Sequence, residues 1–171
     1  MTLAYAVETF RAALPEGEKF IAPQWEEVGS FRDQFDRQVD FQTYFKLEAE
    51  GRLLSVTART GDGTMVGYFV GSVARDLHRI TRTNPPERVG VCAALIYWMD
   101  PAYRGYGRSF IRACERFAVD RGCSIMNIRV KDGRNGAREF LAALKYVAEE
   151  TAMVRVIGPA ADALSPSRKP D

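Results

Sequence analysis

The chain has 171 residues, 46% of them hydrophobic and 27% charged, with 24 Lys and Arg against 22 Asp and Glu for a formal net charge of +2. That length suits one compact domain with a real core, and the near balance of charge argues against a general attraction to nucleic acid or anionic membrane. One histidine, His78, and three cysteines without a C-x-x-C pair (Cys92, Cys114 and Cys123) offer no zinc-ligand spacing and no recognisable Ser-His-Asp signature.

No metal is therefore expected, and the thiols read as reduced packing residues. No window approaches the ~18 apolar residues of a membrane span, and "MTLAYAVETF" lacks the basic and apolar regions of a secretory signal, so a cytoplasmic protein is expected. In chain order, Leu3 to Thr9 alternate as a short first strand. After Pro15, Ile21, Trp25 and Val28 recur at helical spacing, so "EGEKFIAPQWEEV" reads as a helix that Pro23 breaks or kinks. Asp40 caps a second helix, "FQTYFKLEAEG", ended by Gly51.

The period then changes to two. "RLLSVTART" and "TMVGYFVGSVA" form an antiparallel hairpin around "GDG". The basic stretch "RDLHRITRTNPPER" reads as a long loop because Asn-Pro-Pro is unsuited to a central strand, whereas "VGVCAALIYWM" is apolar on both faces, as in a covered sheet. A helix follows, with Ile111, Cys114 and Ala118 on its stripe; then the strand "CSIMNIRV", a helix carrying Ala137, Phe140, Leu141 and Leu144, and a last strand within "YVAEETAMVRVI". One domain over residues 1–157 is expected, with the Pro-, Ser- and charge-rich residues 158–171 a disordered tail.

The junction "DPAYRGYGRSF" concentrates the chemistry. A helix start presents unpartnered N–H groups and the positive end of the helix dipole, and glycines let an anion approach them. Gly105, Gly107, the small Ser109 and the guanidinium groups of Arg104 and Arg108 converge there, so a pyrophosphate fits. A P-loop is excluded by the absence of its Lys, and a dinucleotide-binding fold by the antiparallel strands ahead of the motif. The glycine pair taken alone is equally an ordinary tight turn.

"LIYWMDPAYRGYGRSFIRACE" resembles the signature of the GNAT superfamily of N-acetyltransferases, in which a central strand ends in a splayed bulge and an R/Q-x-x-G-x-G/A turn opens the next helix. Arg104, Gly107 and Ser109 take the three defined positions, with Ser109 a small departure from Gly or Ala. The order of elements is similar over residues 3–157, and "FLAALKYV" resembles the family's later helix ending in L-G-F or L-G-Y. "QWEEV" and "DLH" are more loosely similar to phage-borne members.

The resemblance implies an α+β fold, a central mixed sheet flanked by helices, and an acetyl-coenzyme A site. The pantetheine arm would add along Tyr97, Trp98 and Met99. The pyrophosphate would rest on the N–H groups of Gly105, Tyr106, Gly107, Arg108 and Ser109 beside Arg104, with Asn135 touching the coenzyme or simply capping a helix. An amine of a small molecule or peptide would attack the thioester directly, with a backbone N–H near Trp98 stabilising the oxyanion.

The attacking ammonium must lose a proton first. His78, Glu26 and Glu27 are the candidate bases, and each also reads as an ordinary solvated side chain. The tyrosine that protonates the thiolate in this family has no counterpart, since its position falls on Leu141 or Ala142. Arg79 and Arg82 beside His78 are either solubilising or attract an anionic acceptor. The alternative function is a non-catalytic GNAT-fold binding or structural protein, such as part of a phage assembly. Neither nucleic acid nor membrane is an expected partner, and a homodimer stays open.

Overall fold

The structure is a computed structural model that describes residues 2–29, 38–130 and 136–148. Its elements are β1 (Ala4–Val7), α1 (Phe10–Val28), α2 (Phe41–Ala49), β2 (Leu53–Arg59), β3 (Met65–Ile80), β4 (Arg88–Met99), a 3-10 turn (Pro101–Tyr106), α3 (Gly107–Asp120), β5 (Ile125–Asn127) and α4 (Ala137–Ala143). The five strands lie side by side in sequence order. The first four are antiparallel, and β5 returns parallel to β4 after the α3 crossover. This is the mixed sheet expected from the sequence.

The period of two sends alternate side chains to opposite layers. On β3, Phe69 points to the layer that holds Phe110 and Cys114 of α3, while Tyr68 and Val70 join Phe10 and Phe20 of α1 on the other side. On β4, Met99 and Tyr97 go to the first layer, Trp98 and Ile96 to the second. Burial on both faces explains the unbroken apolar run of β4. All three cysteines are buried and free, and burial pushes the Cys92 thiol up to about 12, so they are packing residues rather than nucleophiles.

Four elements differ from the sequence reading, the first being β5, which is strand only over Ile125–Asn127 of "CSIMNIRV". Helix α1 starts five residues ahead of Pro15, at Phe10, because the Thr9 side chain accepts the Ala12 N–H at 3.2 Å and Glu48 of α2 accepts the Phe10 N–H. Pro15 and Pro23 both lie inside the helix. Its inward stripe, with Phe10 stacked on Tyr44 at 4.9 Å, keeps it continuous despite the bonds the prolines forfeit.

The basic segment is strand rather than loop as far as Ile80. Asp76 accepts the N–H groups of His78 and Arg79, both at 2.8 Å. The resulting bulge between Arg75 and Ile80 leaves Ile80 paired with Arg88. The Asn-Pro-Pro lies in the turn beyond, where no ladder bond is lost. Finally, residues 146–148 are not strand, and the rest of the expected last strand lies outside the described residues, as does the tail.

Candidate active site

The site is built around the C-terminal half of β4. Val70 pairs with Ile96 and Gly71 with Ala94, which leaves Leu95 as a bulged residue without a partner on β3. Past the bulge, the Asp100 N–H donates to the Val66 carbonyl at 2.8 Å, and this sets the phase of the ladder. Alternation then turns the backbone groups of Ile96 and Trp98 toward β3, and those of Tyr97 and Met99 toward the opposite edge. On that edge β5 pairs only with Val91, Cys92 and Ala93. The amides of Tyr97 and Met99 therefore face a stretch that β5 does not cover.

Strand β4 runs straight into the turn. Asp100 closes it by accepting the Ala102 N–H on its side chain at 2.9 Å and the Tyr103 N–H on its carbonyl at 2.8 Å. Tyr106 is the N-cap of α3; among the described residues no side chain caps that helix, and the Gly107 N–H is taken by the Arg104 carbonyl. Arg104, Gly105, Arg108 and Ser109 are exposed around its mouth, and Tyr106 is half-buried. This arrangement of N–H groups and guanidinium groups suits a diphosphate.

The two glycines of the turn differ in role. A Cβ on Gly105 would meet nothing within 4 Å, so no neighbour in the fold demands glycine there. A Cβ on Gly107 would come to 3.2 Å from the Tyr97 hydroxyl and 3.5 Å from the Phe140 ring. Packing thus asks for glycine at 107 whether or not a ligand binds. Ser109 also serves the fold: its hydroxyl donates to the Tyr106 carbonyl at 2.9 Å and lies 2.6 Å from the Tyr5 hydroxyl of β1.

Residues 15–146 match the acetyltransferase (GNAT) family. The chain belongs to that family. It is thus an acyltransferase by descent, and its fold agrees with solved GNAT structures. The aminoglycoside acetyltransferase meta-AAC0020 from an uncultured soil metagenomic sample superposes with a TM-score of 0.66 at 15% identity, covering 91% of this chain and 95% of that one. A ribosomal-protein-alanine N-acetyltransferase from Brucella melitensis biovar Abortus 2308 gives 0.64 at 16%, covering 92% and 100%. AAC(6')-Iy, solved with a bisubstrate analog of CoA and acetylneamine, gives 0.62 at 15%, covering 92% and 99%. No curated protein matches the chain by sequence.

Against this GNAT frame the remaining candidates separate. Glu27, in the last turn of α1, forms an ion pair with Arg104 at 2.5 Å across 77 residues of sequence. Glu26 is its exposed neighbour. His78 is exposed on the far end of β3, about 30 Å along the strand from Phe69, the partner of Tyr97, at ~3.3 Å per residue. The structure does not bring His78, Arg79 or Arg82 to the open edge of β4. The Trp98 side chain is buried against Phe20, ring centres 4.7 Å apart, and its backbone faces β3 rather than the open edge. Asn135 lies outside the described residues.

Helix α4 seats Phe140 over Gly107, and Arg112 of α3 donates to the Leu144 carbonyl at 3.1 Å. Lys145 has a φ of 69°, a left-handed conformation that suits the glycine of the L-G-F ending, so Leu144, Lys145 and Tyr146 occupy that ending in shape as well as in order. Sequence reasoning missed one further feature. A cleft of about 90 Å³, partly open to solvent, lies between α1, α2 and the sheet, reaching Ile96 of β4. Its signal in the sequence is the stripe Phe10, Ala13, Gly17, Ile21 and Gln24, with a glycine in its middle. The described helices include none long and apolar enough to cross a membrane.

Proposed function

We propose that this chain is an acetyl-CoA-dependent N-acetyltransferase that passes an acetyl group directly to a primary amine of a small molecule or a protein. The observation that carries the reading is the stretch of β4 that no described strand covers, leading into the start of α3 that no described side chain caps. Acetyl-CoA, when bound, supplies an activated thioester. The fold's own groups fit it: outward amides at Tyr97 and Met99, open space over Gly105, and exposed cations at Arg104 and Arg108.

In this reading the N–H groups of Tyr97 and Met99 orient the acetyl carbonyl and stabilise negative charge on its oxygen, a kind of contribution worth roughly 3 to 4 kcal/mol per donor in hydrolases. The N–H groups from Gly105 to Ser109 that the turn leaves free, which excludes that of Gly107 on the Arg104 carbonyl, hold the diphosphate together with Arg104 and Arg108. Glu27 accepts the proton that the ammonium must shed, since its ion pair with Arg104 ties the end of α1 to the cofactor turn. Solvent serves the thiolate in place of the phenol that α4 lacks. The neighbours' amine acceptors support direct transfer to an amine. The binding-protein alternative keeps only the missing phenol in its favour.

Thermal unfolding with acetyl-CoA tests the pocket. Ligand at 100 times its Kd stabilises by about 2.7 kcal/mol. An unchanged transition at saturating coenzyme rules out the proposal. A shift without thiol release across a panel of amines selects the binding protein.

A further inference from the structure

We infer that the cleft beneath α1 takes the body of an amine acceptor that is apolar, aromatic or branched aliphatic, and carries a single amino group. The inference rests on the acetyltransferase reading and adds the chemical class of the acceptor to it. Position comes first: Ile96 lines the cleft, and the next residue along β4 is Tyr97, whose backbone faces the uncovered edge. A body seated in the cleft thus ends beside the stretch of β4 where the acetyl group would lie.

Charge is the second argument. The described residues lining the cleft include no Asp, Glu, Lys, Arg or His. Its polar groups are neutral, chiefly Gln24, Tyr44, Tyr68 and Ser55. Tyr68 donates to Gln24 Oε1 at 2.6 Å, and burial pushes its phenol up, so this pair stays uncharged across the working pH range. Such walls can match one neutral polar group of a ligand. They provide nothing to repay the desolvation of several ammonium groups, which is steep in an apolar site. A polycation of the aminoglycoside type is therefore a poor fit.

Gly17 is the third. It lies in the interior of α1, where glycine is disfavoured by about 1 kcal/mol relative to alanine. It nonetheless faces the cleft, and a Cβ there would come no nearer than 4.0 Å to Met65 Sδ. The fold tolerates a larger residue, which would extend into the cleft itself. Glycine at this position keeps the cleft open at a cost to the helix.

The test is ligand-observed NMR and acetyl transfer with 4-phenylbutylamine and with kanamycin, on the wild-type chain and on Gly17→Leu. We expect the phenylalkylamine to bind and kanamycin not to. Gly17→Leu should weaken phenylbutylamine binding by about tenfold or more while the unfolding temperature holds or rises and the acetyl-CoA shift is unchanged. If Gly17→Leu is unstable, Leu14→Trp fills the same cleft and carries the same expectation. Unchanged phenylbutylamine affinity in the filled variant overturns the inference. So does acetylation of kanamycin but not of phenylbutylamine, an outcome that leaves the acetyltransferase reading standing. Phenylbutylamine binding that the filled variant loses, with no acetylated product, upholds the cleft and overturns the transfer reading instead.

Discussion

Among the described residues the two faces of the sheet are covered by similar apolar side chains, yet one is closely packed and the other holds a cleft. Under α3, the small residues Ala113, Cys114 and Ala118 let the helix sit close, and Phe69 and Phe110 interlock with no exposed surface. Under α1, large aromatic rings alternate with Ala13 and Gly17, and a cleft remains. Sealing makes the first face a rigid support for the cofactor turn, since Tyr97 and Phe110 hold α3's first turn in place, ring centres 5.7 Å apart. The second face is where a ligand can enter. One sheet thus presents a fixed side and an adaptable side to the same uncovered edge.

The largest test of this contrast is Phe110→Ala against Phe10→Ala. Chemical denaturation should show about 3 to 5 kcal/mol lost for Phe110, and less for Phe10, because the region around Phe10 already contains unfilled volume. Equal losses would deny the difference between the faces. Next in size is Glu27→Gln, expected to lower kcat about 100-fold or more, while His78→Ala leaves it within twofold, at about the scale of a distant surface change. Steady-state kinetics over a pH range decide it, and a His78 variant that loses as much would move the base to the far arm.

At the turn, Gly105→Asp should abolish the acetyl-CoA thermal shift of about 2.7 kcal/mol with the apo transition unmoved. Gly107→Asp should in addition destabilise the apo protein by about 1 to 3 kcal/mol, as its side chain meets the Tyr97 hydroxyl. An unshifted apo transition for Gly107→Asp would mean that packing does not select glycine there.

A smaller effect concerns the clamp between β1, β2 and α1. The Arg59 guanidinium holds Glu8 below its ordinary value of 4.5, bonding it at 2.7 Å, and also reaches Glu16 at 2.8 Å. A depressed carboxylate contributes stability that is present above pH 4.5 and fades as the pH falls toward the folded value. Glu8→Gln should therefore cost about 1 to 3 kcal/mol at pH 7 and progressively less below pH 4.5, as followed by denaturant titration at several pH values. A constant difference would exclude the linkage. The smallest effect is Lys145→Gly, which relieves a left-handed residue and should gain up to about 1 kcal/mol in the same assay.

Much of the site was legible because its parts are consecutive. Arg104 to Ser109 lie in a single turn, and the apolar run before them betrays a strand covered on both faces. Two of the errors came from prolines. Pro15 and the Asn-Pro-Pro were read as boundaries, whereas Thr9 and Glu48 start α1 earlier and the Asp76 bulge carries β3 onward. His78 was a candidate base while its segment was read as a loop; as part of β3 it sits far along the strand from Tyr97.

What the sequence alone determined is everything set by short-range chemistry: the helix cap at Asp40, the hairpin at "GDG", the period-two strands, and the glycine-rich cationic mouth of α3. Tertiary structure decided the rest. The Glu27–Arg104 pair spans 77 residues, the cleft needs α1, α2 and three strands at once, and among the described residues the end of β4 is left without a neighbour because β5 ends at Asn127. Each of these is a distance between elements far apart in the chain. Such distances follow from how side-chain volumes fill the layers, which no local pattern records.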